Sequence, residues 1–208
     1  MRLPRKVPVG RNSRSHRAAL AAAFAFLLVA SLLPATVHAG KRVRVDWDNY
    51  QPPGTANRGN VTAGTLERLK RIYTDYLNSL QFVTSNNNSV DIVVYVTSGL
   101  IEDGLFGDAH AIGNTSADVY GGMINSAAGQ RGTTNESDMV NALGRTIGHE
   151  LGHDLGLRHT SNTSDLMCDG QYLENTQRFD TTHEGIPGFQ RTQLNSLFAM
   201  NSTAAPRA

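Results

Sequence analysis

Residues Thr146-Ile147-Gly148-His149-Glu150-Leu151-Gly152-His153-Asp154-Leu155-Gly156-Leu157-Arg158-His159 decide how the rest of the chain is read. On a helix, at about 100° per residue, His149 and His153 stand one turn apart on one face, so both imidazoles can reach a single metal ion. Gly156 is the residue type that takes the left-handed conformation ending a helix at its C′ position. The chain turns there and brings back His159 three residues later as a third ligand. Three protein nitrogens leave the fourth position of a tetrahedral zinc to water, which is the open arrangement of a catalytic site and not the closed one of a structural site. Zinc lowers the pKa of such a water to about 7. Glu150 projects about 60° around the axis from His153, so its carboxylate reaches that water without joining the metal's shell, as a general base and proton shuttle.

The stretch resembles the metzincin clan of zinc endopeptidases, whose motif reads H-E-x-x-H-x-x-G-x-x-H followed by a methionine turn. Ser164-Asp165-Leu166-Met167 stands where that turn falls, and by resemblance Met167 packs beneath the metal as a hydrophobic base. Thr160, directly after the third histidine, and the short spacing to Met167 are most similar to matrixins, which carry Ser or Thr there; astacins carry Glu, serralysins Pro and reprolysins Asp. The resemblance implies an α/β (α+β) fold of metzincin type, with a twisted mixed sheet, a long active-site helix, the methionine turn and a C-terminal helix. It also implies a zinc-dependent endopeptidase acting on protein or peptide substrates, with one catalytic Zn2+ held by His149, His153 and His159 and with Glu150 as the base. Astacins and serralysins place a tyrosine two positions after the methionine. Here that position is Asp169, and Tyr172 is a candidate for the assisting role. The second, structural zinc of matrixins is not expected, because in Asp108-Ala109-His110-Ala111 only His110 lines up well with its ligands. Calcium lacks a dense pattern of oxygen ligands.

The first 39 residues read as a targeting segment. Arg2, Arg5, Lys6, Arg11, Arg14 and Arg17 precede an apolar run, Ala18 to Leu33, which is followed by Pro34 and the small-residue sequence Val37-His38-Ala39. That order is a secretory signal peptide cut after about Ala39. The run spans about 16 residues, short of the roughly 20 that a bilayer crossing needs, so stable membrane association is not expected after cleavage. Residues 40–208 then form a single catalytic domain, secreted, extracellular and expected to be monomeric. Six of the 19 basic residues precede the cut and none of the 18 acidic ones does, so the remainder carries a net charge of −5. That sign speaks against nucleic acid as a partner. The one cysteine, Cys168, can form no internal disulfide, so stability rests on packing and metal binding. Directly after Met167, it reads as a small buried apolar residue.

Along the remaining chain, Val43, Val45 and Trp47 alternate with Arg42, Arg44 and Asp46, the period of a strand. Apolar residues from about Ala63 to Leu80 fall at helical spacing, and Val90 to Thr97 is a β-branched strand suited to a sheet centre. Ser98 to Gln130 is rich in Gly and Asn. Within it, by resemblance, Asp118 to Asn125 is the candidate for an antiparallel rim strand that pairs with an extended substrate, a surface hairpin being the alternative. Asn135 is a helix cap, with Glu136 and Asp138 in the positive first turn behind it. On that helix Val140, Leu143, Ile147, Leu151 and Leu155 form a stripe roughly opposite His149 and His153, while Asp154 reads as a satisfied buried carboxylate. Asp169 to Gly188 reads as an irregular loop in which His183 is solvated, and Phe189 to Met200 as a closing helix with Leu194, Leu197 and Phe198 inward.

Two other readings stay open at this level. A zinc hydrolase acting on a non-protein amide, such as a cell-wall linkage, would use the same residues, and comparing casein with peptidoglycan as substrate separates it. A non-catalytic secreted module that keeps zinc for structure would show stoichiometric metal, lower stability on chelation and no turnover. The intact glutamate and the open fourth position argue against it.

Overall fold

The computed structural model describes residues 40–84, 89–100, 105–170 and 184–203. The targeting segment, Tyr172 and His183 lie outside the described residues. Five strands form one mixed sheet: β1 (Lys41–Asn49), β2 (Leu80–Val83), β3 (Ile92–Thr97), β4 (Gly107–Ala109) and β5 (Ser116–Tyr120). Their order is β2-β1-β3-β5-β4. The first four in that order run parallel, and β4 closes the edge antiparallel to β5. Ile92, Val93, Val94 and Val96 of β3 are buried while Tyr95 is exposed, so the covered face of this central strand is the one that carries Ile92, Val94 and Val96.

A helical crossover joins β1 to its parallel neighbour β2, since a tight hairpin cannot connect parallel strands, whereas β3 reaches β5 through the segment that carries β4. Helix α1 (Arg58–Ile72) is capped by Asn57, whose side chain accepts from the Asn60 N–H at 3.1 Å. It starts before the expected Ala63 and stops well before Leu80. The apolar spacing continues through Tyr73, Tyr76 and Leu80, but the chain passes through a 3-10 turn (Thr74–Tyr76) and enters β2, because its backbone is needed beside β1. Helix α2 (Gly121–Arg131) falls at the end of the Gly- and Asn-rich stretch, where the sequence gives no helical expectation. Its first two glycines explain both the misreading and the packing: a Cβ on Gly121 would strike the Tyr50 ring, and one on Gly122 the Ser98 carbonyl oxygen.

Residues 118–125 are therefore not a rim strand. Ser116–Tyr120 is paired on both sides within the sheet, and Gly121 begins α2. The edge strand is β4.

Helix α3 (Glu136–Asp154) begins as its sequence dictates. The Asn135 side chain accepts from the Asp138 N–H at 2.9 Å, with Glu136 and Asp138 beside the positive end of the helix dipole. Every residue from Ala142 to Asp154 is buried, so α3 is the spine of the domain and not merely one wall. Leu143 and Ile147 join Val45, Val94, Val96 and Val119 in a core beneath the sheet. Leu151, Leu155 and Leu157 join Val43, Ile92, Leu166, Met167 and Leu194 in a second one. Helix α4 (Gly188–Thr203) closes this second core with Leu194, and Phe198 meets Tyr76 at 5.6 Å between ring centres.

Glycines let α3 be approached on its remaining sides. A Cβ on Gly148 would meet Ile72 at 3.3 Å and Leu166 at 3.4 Å, while one on Gly152 would overlap the Met167 sulfur. Among the described residues no helix is long and apolar enough to cross a membrane. Gly152→Ala should therefore lower stability by about 1–3 kcal/mol through overpacking. Gly129→Ala, on α2 with nothing within 4 Å, should be neutral or stabilising by about 0.5–1 kcal/mol. Denaturant unfolding of the two variants checks this contrast.

Candidate metal centre and cleft

The end of α3 builds the site. Leu155 caps the helix, and Gly156 follows at φ 92° in the left-handed region. The Gly156 N–H donates to the His153 carbonyl at 2.8 Å and the Leu157 N–H to the Gly152 carbonyl at 2.9 Å. These two bonds are those of a Schellman turn, which satisfies helix carbonyls that would otherwise be orphaned and reverses the chain within one residue. The reversal aims the Leu157 carbonyl at His153, 2.9 Å from its Nδ1. It also brings His159 over the helix, its Nε2 3.1 Å from His149 Nε2 and 3.0 Å from His153 Nε2.

The hydrogen bonds fix which nitrogens carry protons. His149 Nδ1 lies 2.8 Å from the Leu166 carbonyl, and a carbonyl oxygen only accepts, so in His149 and His153 the proton sits on Nδ1. Their Nε2 lone pairs then point at the space that His159 Nε2 also faces. Burial, and after it the charge of His153, lowers the His149 pKa to about 3, so this ring stays neutral at ordinary pH. His153 is lowered as well, again chiefly by burial. Two neutral nitrogens with their lone pairs inward, and the His159 Nε2 converging on them, suit a cation. Zinc bonded to imidazole at about 2.0–2.1 Å in a tetrahedral shell spaces its nitrogens by roughly 3.3 Å, close to the separations found. Among the described residues this is the group of three His, Cys, Asp or Glu side chains that could hold a metal ion.

The methionine turn supports the group from below. The Thr160 N–H donates to the Met167 carbonyl at 2.8 Å, and the Thr160 hydroxyl donates to Asp165 Oδ2 at 2.9 Å. Leu166 works at both ends: its carbonyl receives His149, and its N–H donates to Gly185 O at 2.7 Å. Next to Gly185, Glu184 is ion-paired with Arg68, whose side chain lies over Gly144 of α3. Met167 is fully buried against Gly152, and Cys168 is buried as expected.

Glu150 is 6 % exposed and faces the edge strand. A Cβ on Gly107 would stand 2.6 Å from its Oε1, so only glycine leaves room there for the carboxylate. Burial, then the charge of Asp108, raises its carboxyl to about 8, while a hydrogen bond to the Ala109 backbone opposes the shift. A divalent charge nearby would also oppose it. His149, Glu150, His153 and His159 line one cleft of about 760 Å³, together with β4 and Cys168, Asp169 and Gly170.

Sequence reading missed the part played by Gly107, Asp108 and Ala109, because edge-strand pairing in a glycine-bounded segment leaves no periodic signal. His110 instead pairs with Asp118 at 3.4 Å. Asp154 differs from its expectation too. It is 3 % exposed, both its carboxylate oxygens lack a hydrogen-bond partner among the described residues, and burial raises its pKa to about 7 against the charge of Lys41.

Comparison with known proteins agrees with this geometry. The family model described as Matrixin matches residues 47–192. No curated protein matches the chain. Among solved structures, archaemetzincin from Methanopyrus kandleri is similar at a TM-score of 0.55 and 18% identity, over 81% of this chain and 99% of that one. A zinc-dependent peptidase from Methanocorpusculum labreanum (strain Z) is similar at a TM-score of 0.52 and 16% identity, over 75% of this chain and 100% of that one. At such identities the likeness is one of fold.

The purified chain is expected to bind one zinc ion, and His153→Ala to weaken that binding by at least about 100-fold, given that lesser changes around such ligands already cost 10–100-fold. Equilibrium dialysis with metal analysis reads both.

Proposed function

The chain belongs to the matrixin family and is a zinc-dependent peptidase, and from that premise we propose that it is a secreted endopeptidase of metzincin type cleaving protein or peptide substrates. The observation that carries this reading is the convergence of three imidazole Nε2 atoms beside a buried carboxylate in an open cleft. His149, His153 and His159 would hold the zinc, with Met167 packed against Gly152 of the same helix. A zinc ion held there supplies Lewis acidity, which polarises a carbonyl and acidifies a water.

The protein's own groups do the rest. Glu150 removes a proton from the attacking water and delivers it to the leaving amine. Its carboxyl suits both acts, since burial disfavours its charge while the Ala109 backbone contact favours it. The edge strand β4, paired among the described residues on one side only, offers backbone groups to an extended peptide. Laid along β4, the peptide passes directly over Glu150, because Gly107 and Glu150 are in contact.

The basic and apolar order of residues 1–33 and the small residues before Gly40 support export with cleavage near Ala39. The acidic remainder supports a partner other than nucleic acid.

Glu150→Ala should keep one zinc per chain and lose hydrolysis of casein by about 10²–10⁴-fold, the usual range for a general base. Gly107→Ala, which displaces the Glu150 carboxylate without touching a histidine, should lower kcat with zinc retained. Peptide-turnover assays on zinc-loaded protein check both. Undiminished turnover by Glu150→Ala would remove Glu150 from the mechanism, and turnover of peptidoglycan in place of casein would remove the peptide substrate.

A further inference from the structure

Two of the three histidines are oriented by backbone carbonyls and by burial, but the third is not. His149 and His153 each direct Nδ1 at a carbonyl, Leu166 O and Leu157 O, and both rings are buried. The His159 side chain is 47% exposed, and packing alone does not hold it. Its Nδ1 faces a carboxylate: Asp169 Oδ2 lies 3.5 Å away.

That approach is built into the backbone. The Thr160 N–H donates to the Met167 carbonyl, and the Asp169 N–H donates back to the Thr160 carbonyl at 3.0 Å. Thr160 and Cys168 thereby form a parallel bridge, and the Asp169 N–H, bonded to the carbonyl of the residue next to His159, keeps Asp169 within reach of that ring. Asp169 also lines the cleft, so the contact is made at the rim of the metal centre.

We propose that Asp169 is a positioning residue for the zinc centre, holding the exposed His159 ring with Nδ1 protonated and Nε2 aimed at the metal. The inference rests on the reading of the three histidines as zinc ligands. Its chemistry is that of a carboxylate–histidine–metal relay, in which the outer carboxylate fixes the ligand's tautomer and raises its basicity. Charge balance adds a second reason. Three neutral imidazoles cancel none of a dication's charge, and the Asp169 carboxylate, which lines the same cleft, supplies a negative charge beside the third ring. The methionine turn thus serves the centre at both ends: Leu166 orients the first histidine and Asp169 the third.

The test is zinc affinity, read by competition with a chelator of known strength, for the wild type, Asp169→Asn and Asp169→Ala. Unfolding of the metal-free proteins and the visible spectrum of the cobalt(II) forms are read alongside. Asp169→Asn keeps the shape and loses the charge. It should weaken zinc binding by about 10-fold and Asp169→Ala by up to about 100-fold, with metal-free unfolding midpoints unchanged and the cobalt spectrum altered. Wild-type affinity in both folded variants would overturn the proposal, as would a loss of affinity matched by lower metal-free stability, which would make Asp169 only a prop for the turn. If the wild-type protein itself binds no zinc, the reading of the histidines fails and takes this inference with it. If zinc binds but no peptide is cleaved, the affinity comparison still decides the role of Asp169.

Discussion

The structure depends on a helix that must stop within one turn of its second histidine. Had α3 continued, the residue at position 159 would lie well along the helix axis from His153, on a different face. The left-handed Gly156 and its two hydrogen bonds fold the chain back instead, and the same reversal turns the Leu157 carbonyl toward His153. A side chain at position 156 would strain that conformation, where L residues are disfavoured by about 1 kcal/mol or more. The metal centre is therefore in the first place a backbone feature, onto which three imidazoles are mounted.

Around that reversal, the rest of the domain supplies rigidity and access. The long buried run of α3 locks the two helical histidines against the sheet and α1, and the glycines at 148 and 152 allow Leu166 and Met167 to come up from the other side. Rigidity of this kind keeps the three imidazole Nε2 atoms facing one another, the arrangement a cation needs. Access comes from the mixed character of the sheet. Four strands run parallel, whereas the antiparallel strand β4 at the edge pairs, among the described residues, on one side only and carries the glycine against which Glu150 rests.

What the sequence made legible was local. The Asn135 cap, the acidic first turn, the histidine spacing, the Gly156 reversal and the closing helix each depend on residues within a few positions of one another, and periodicity or turn chemistry reports such features directly. The end of α1 was hidden because Tyr73, Tyr76 and Leu80 keep a helical rhythm while packing from a 3-10 turn and a strand. Helix α2 was hidden because its glycines weaken the propensity signal, although they are what allows its first turn to sit on Tyr50 and Ser98. The rim of the cleft was assigned to Asp118–Asn125 and lies at Gly107–Ala109, because edge position is settled by strand order, which no short window of sequence contains. Asp154 shows the same limit from the energetic side: its burial is foreseeable from its place on α3, but its lack of partners depends on chain distant in sequence.

The central claim is that three imidazole nitrogens hold one metal ion and leave a coordination position to solvent. X-ray absorption at the zinc edge of the loaded protein measures this directly. The account predicts three nitrogen scatterers and one oxygen at about 2.0–2.1 Å and no sulfur. A sulfur scatterer at about 2.3 Å would show Cys168 closing the shell, and that result, or a shell completed by four protein ligands, would contradict it.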